Sequence, residues 1–225
     1  MDADWSVELT AEDETLEMPW RTPDSSAEWL DLRAHPEAAE GLPECRAYPE
    51  LAEVLRRLNG TASGLASAKC DLFGAERTGE AQEIHGAWRF GSYVDFLFSG
   101  VGARFSLAPR NFDFAVHEGF ARSFAQRLDS GRTLGNASER IKDAELEKIN
   151  GDAEIIVRRC WYAATTEREQ TPTSGFYFTL YLFGFGEDAS TARQEWVRTL
   201  PPVINLLLGL TSELPAVPPA EAGRK

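Results

Sequence analysis

The chain is poor in the residues that most often ligate metals or act as nucleophiles: its 225 residues include three cysteines and three histidines. Cys45, Cys70 and Cys160 are odd in number and far apart. That excludes a disulfide framework and leaves reduced thiols as the expectation. No C-x-x-C or H-E-x-x-H spacing occurs, and His117-Glu118 has no second histidine four residues on. Structural zinc needs paired ligands at short separations, so neither a metal nor a cofactor is expected. A phosphate-cradling loop is missing too, because SGVGA at 99–103 falls between strand-like segments rather than ahead of a helix. The longest apolar run, 203–210, is interrupted by Asn205 and is too short to span a bilayer. The N-terminal residues lack a basic stretch followed by an apolar one, so no secretory signal and a cytoplasmic location are expected.

Positive charge is also scarce, with 23 lysines and arginines against 36 acids for a net charge of −13. Nucleic-acid phosphates and anionic membranes would be repelled, which leaves a basic protein or a small molecule as partner classes. Hydrophobic residues make up 43% of the chain and aromatics 11%, enough to bury one core. The expected organisation is a single α+β domain over 1–213, followed by a flexible tail, 214–225. Within the domain, 1–46 reads as an acidic N-terminal hairpin and a surface segment.

What is present is a set of strongly patterned segments. WSVEL and TLEMPW read as two short strands joined by AEDE, an edge hairpin whose acids discourage further pairing. WLDLR offers a short strand. The stretch 49–59 opens with proline, repeats Leu51, Val54, Leu55 and Leu58 at helical spacing, and closes on Asn59-Gly60. AKCDLFGA and RFGSYVDFLFSG follow as strands, with ARFSL as a third strand of the meander. A second helix spans 111–130, its stripe formed by Phe114, His117, Ala121, Phe124 and Leu128. Residues 136–149 read as an exposed helix, then EIIVRRCWYA and GFYFTLYLFGFG as strands. A last helix starts near Asp188 or Ser190, and Pro201-Pro202 should kink or break it. The sum is a meandering antiparallel β-sheet with helices packed on one face.

Successive strand side chains point to opposite faces, and this alternation locates a candidate site. Val94, Phe96, Phe98, Phe176, Phe178, Leu180 and Leu182 form one apolar face for the helices to cover. The opposite face carries Tyr93, Asp95, Tyr177, Thr179 and Tyr181, with Lys69 and Asp71 from the preceding strand and Arg158, Cys160 and Tyr162 from the following one. Arg159 and Trp161 then fall on the core side, where an arginine needs a partner. His117, in its apolar stripe, completes the candidate ligand-binding set of Tyr93, Asp95, His117, Arg158, Cys160, Tyr177 and Tyr181.

Two classes of function fit these features. A non-catalytic, acidic binding protein would use the tyrosine-rich polar sheet face. A small enzyme or small-molecule sensor would instead converge Asp95, Arg158 and tyrosine hydroxyls on a pocket, with Cys160 or His117 as nucleophile or base.

Overall fold

The computed structural model describes residues 1–10, 14–18, 30–79, 85–129, 149–164 and 173–214. Six strands, β1 (Asp2–Glu8), β2 (Glu14–Met18), β3 (Leu65–Arg77), β4 (Trp88–Phe98), β5 (Gly151–Ala164) and β6 (Thr173–Gly186), form one mixed, mostly antiparallel sheet. Across it the order is β1-β5-β6-β4-β3, with β2 also on β5. Among the described residues four α-helices accompany it: α1 (Pro43–Ala47), α2 (Pro49–Leu58), α3 (Phe114–Asp129) and α4 (Ala189–Glu213). The architecture is α+β, as the sequence pattern implies.

The apolar face lies as the alternation requires. Val94, Phe96, Phe98, Phe178, Leu180 and Leu182 are buried in the main core, with Phe176 packed at its margin. α4 lies over β6 and β4, α3 lies against β1 and β5, and α2 packs on α4. α4 starts where the Asp188 carboxylate accepts a hydrogen bond from the Thr191 N–H at 2.8 Å. It can press onto the end of β6 because Gly184 has no side chain; a Cβ there would strike the Trp196 nitrogen. Trp196 is fully buried and donates its indole N–H to the Ser92 hydroxyl at 2.9 Å.

Several expectations are corrected. β1 and β2 do not pair with each other as a hairpin. Both run parallel to β5, β1 along Asp152–Arg158 and β2 along Cys160–Ala164. The described part of WLDLR, 30–33, is not a strand but leads into a turn over 32–34, where the Asp31 carboxylate accepts from the N–H groups of Arg33 and Ala34. Arg33 is buried and donates to the carbonyls of Ser63, Leu65 and Gly102, so it ties three segments together. The region just after it is core rather than loose surface, since Ala39, Leu42 and Cys45 are buried on a 3₁₀ turn and α1. ARFSL is not a strand. The side chain of Asn111 takes the free ladder groups of Phe98, accepting from its N–H at 2.9 Å and donating to its carbonyl at 2.6 Å. Only a Ser99–Leu107 bridge remains there. α4 runs without a break through Pro201 and Pro202, although each lacks the N–H an interior position would donate. The helix expected over 136–149, apart from Ile149, and the tail beyond Leu214 lie outside the described residues.

Candidate functional site

The second face of the sheet divides into two halves. At one end the sheet curls until β2, hydrogen-bonded to β5, comes up to β3 at the far edge. Leu16 of β2 then shares one small hydrophobic cluster with Ala66, Ala68, Leu97, Cys160, Tyr162 and Tyr177, and Phe105 and Leu107 pack against it. The small alanines of β3 make room for this closure. Cys160 and Tyr177, two of the candidate ligand residues, are therefore interior side chains. Burial pushes the Tyr177 phenol up, with the Asp95 carboxylate adding to the effect.

Asp95 sits on the border between the halves, 4% exposed. It accepts a hydrogen bond from the Thr179 hydroxyl at 2.6 Å and lies in register with Lys69 on β3. Burial raises its carboxyl to about 6, against the opposing pull of the Thr179 bond and the charges of Lys69 and Arg158. Arg158, one row away on β5, is half-buried and paired with Glu8 at 2.9 Å. Its neighbour Arg159 projects to the other face and donates to the Thr10 carbonyl at 2.8 Å. Trp161 is 42% exposed at the end of the sheet.

Beyond Asp95 the face is open and aromatic. Tyr93 and Tyr181 are directly opposite on β4 and β6, ring centroids 5.8 Å apart and both half-buried. Phe183 stacks on Tyr181 with an interplanar angle of 1°. Phe73 lies within 6.2 Å of Tyr93, Tyr181 and Phe183, and is 44% exposed. Phe73 owes its place to a β-bulge: the register slips between Leu72 and Gly74, and Gly74 takes the left-handed backbone at φ 73°. Gly91, opposite, leaves space for the rings, since a Cβ on it would come within 2.6 Å of Phe183. Carboxylates bound this platform. One cross-strand row reads Asp4, Glu154, Tyr181, Tyr93, Asp71. The Tyr93 phenol is pushed up to about 12, chiefly by burial, with the charges of Asp95 and Asp71 adding to the effect.

His117 is not part of this face. It lies on α3, across the sheet, fully buried against Phe98, Phe176 and Phe178. Its Nδ1–H faces the Asp113 carbonyl at 2.9 Å, and burial lowers the imidazole to about 4. The sheet thus separates His117 from Cys160 and Asp95, and a thiolate–imidazole–carboxylate constellation of those three cannot form. The remaining thiols are also suppressed: burial lifts Cys45 to about 12 and Cys70 higher still. Among the described residues, no group of three or more His, Cys, Asp and Glu side chains is placed to hold a metal ion. No helix there is long and apolar enough to cross a membrane.

Alternation of side chains places Phe183 with the tyrosines and, continued from Asp71 and Arg158, brings Phe73 and Glu154 to the same face, but it reveals neither the bulge at Phe73 nor Asp4 as a neighbour of that group. The available signal for Phe73 was the glycine that follows it within a strand, a common mark of a bulge. Comparison of the chain with family models, with curated proteins and with solved structures returned no match.

Proposed function

We propose that this chain is a non-catalytic binding protein that takes a basic protein partner on the open, aromatic half of its sheet. The observation that carries this reading is the cluster of Phe73, Tyr93, Tyr181 and Phe183, partly in solvent on a face that none of α1 to α4 covers. Aromatic side chains with polar rims are the anchors that protein interfaces favour. The acidic balance of the chain adds attraction for a basic partner and speeds encounter at low salt.

A second reading, a small-molecule sensor or enzyme built on Asp95, Arg158 and Tyr177, is favoured by one feature. Asp95 is a buried carboxyl raised toward neutrality, which is how proton-transfer groups are often prepared. Its hydrogen bond to Thr179 and its registry with Lys69 account for it equally as a structural network, and His117 lies on the opposite face of the sheet, packed on Phe178.

Affinity capture from native lysate at low salt tests the first reading. The expected result is a stoichiometric partner of high isoelectric point, lost when the bait carries Phe73→Ala and Tyr181→Ala. Absence of a stoichiometric partner, or equal capture by wild type and the double variant, contradicts it.

A further inference from the structure

We infer that the Tyr181–Tyr93 row is a subsite for a guanidinium or ammonium side chain of the basic partner, stacked on the ring faces between the carboxylates of Glu154 and Asp71. The inference rests on the reading above and names the chemistry by which that face selects what it binds.

Three independent features of the face converge on a cation. First, the row places a carboxylate one strand away on each side of the tyrosine pair: Glu154 beside Tyr181, Asp71 beside Tyr93. Adjacent strands are about 4.8 Å apart, so a cation midway over the rings lies about 7 Å from the strand that carries each acid, inside the range over which both carboxylates attract it at ordinary salt. Second, the acids are uncompensated. Asp4 and Glu154 lie in register on neighbouring strands, an arrangement that costs stability unless a cation relieves it. Among the described residues no base pairs with Asp4, Glu154 or Asp71; Glu154 receives only the Ser6 hydroxyl, at 3.4 Å. The bases nearby are engaged elsewhere: Lys69 faces Asp95, Arg158 pairs with Glu8 and Arg89 with Glu76.

Third, the face already holds a guanidinium in this way at its lower end. Arg89 lies 5.4 Å over the Phe183 ring while Glu76 holds it at 2.6 Å. Tyr93 and Tyr181 repeat the ring-and-carboxylate pairing with no resident cation among the described residues. The bulge at Leu72–Gly74 supplies a wall, because it lifts Phe73 over the tyrosines, where the ring can close on the stem of an inserted arginine or lysine. Electron-rich rings attract such cations, most strongly where water is partly excluded.

A short Gly/Ser peptide carrying several arginines, and the same peptide with uncharged citrulline in their place, test the inference by NMR titration at low and moderate salt. The arginine peptide should shift the signals of Phe73, Tyr93, Tyr181 and Phe183 and leave those of α2 and α4 unmoved. Citrulline should weaken binding about tenfold, as should Tyr181→Leu, in the range of a partly desolvated cation–π contact. The pair Asp71→Asn with Glu154→Gln, which preserves shape, should weaken it several-fold and flatten the salt dependence. Equal binding of the citrulline peptide, or arginine-induced shifts confined to the helical side, overturns the inference. The two proposals fail separately. Capture lost in the Phe73/Tyr181 bait together with charge-blind peptide binding refutes the cation subsite alone. Charge-dependent peptide binding at the tyrosines with no captured partner refutes the interface reading alone.

Discussion

The two halves of the second sheet face are built from the same strands, yet one is interior and the other is surface. In the upper half, β2 closes toward β3, and small residues on β3 let Leu16, Tyr162 and Tyr177 pack into a satellite core. In the lower half, the bulge at Leu72–Gly74 and the facing Gly91 leave room for rings that remain partly wet. The difference shows that strand alternation assigns a side, while burial on that side is decided by what arrives from elsewhere in the chain. Tyr177 and Tyr181 are four residues apart on one face of one strand, and only Tyr181 is available for contact.

The sharpest way to break this contrast is by truncation. Phe178 stacks on Phe96 at 5.0 Å and lies against Phe98, Phe120 and His117, so Phe178→Ala should cost about 3–5 kcal/mol in urea unfolding. Tyr181→Ala, three positions on and on the opposite face, should cost about 1 kcal/mol or less. Similar losses for the two would remove the distinction between the faces.

Protonation provides a second contrast across the sheet. The folded pKa of His117, about 4, lies below its ordinary value of 6.5, so the unfolded chain binds more protons between those limits. Its contribution is complete above about pH 6.5 and is lost as the pH falls through 4, up to about 3 kcal/mol. Asp95 has the opposite sign. Its folded pKa is raised, so its contribution is complete below its ordinary 3.8 and is lost as the pH rises through about 6. Asp95→Asn keeps an acceptor for Thr179 and removes that dependence. Its stability relative to wild type should therefore decline by about 2–3 kcal/mol between pH 7.5 and pH 4, measured by denaturant unfolding.

Glycine substitutions compare backbone with ring as the obstructing neighbour. Gly184→Ala drives a methyl into the α4 backbone at Trp196 and Ala192, and should cost about 2 kcal/mol or more. Gly91→Ala meets the Phe183 ring, which can swing aside, and should cost about 1 kcal/mol or less while weakening arginine-peptide binding. The smallest effect expected is on the thiols. Cys160 and Cys45 are buried, and a mild alkylating agent near neutral pH should leave both unmodified until denaturant is added. Rapid modification of native Cys160 would revive a nucleophile on the second face.

Much of this was legible in the chain because a period of two needs no knowledge of partners. Phe176 to Leu182 sorted themselves into a core side and a tyrosine side, and Tyr93 and Asp95 joined the tyrosines by the same rule. Pairing was not legible. AEDE between two short strands fits a hairpin as well as it fits two strands laid end to end on β5, and only the distant sequence of β5 decides. ARFSL has strand composition, but the Asn111 amide reaches Phe98 first. Pro201-Pro202 removes two donors from α4, yet the buried stripe of Trp196, Leu200, Val203, Ile204 and Leu207 holds the helix to the sheet on both sides of the gap. His117 fitted its helix stripe correctly, but the alternation of the strands could not say that the sheet would stand between it and the tyrosines.

Hydroxyl-radical footprinting of the native protein, read ring by ring, bears most directly on the claim that one side of this sheet is dry and the lower half of the other is open. Phe73, Tyr93, Tyr181 and Phe183 should oxidise readily, while Phe96, Phe98, Phe178 and Tyr177 stay intact. Oxidation of Phe178 as fast as Tyr181, or protection of all four platform rings, would contradict the account.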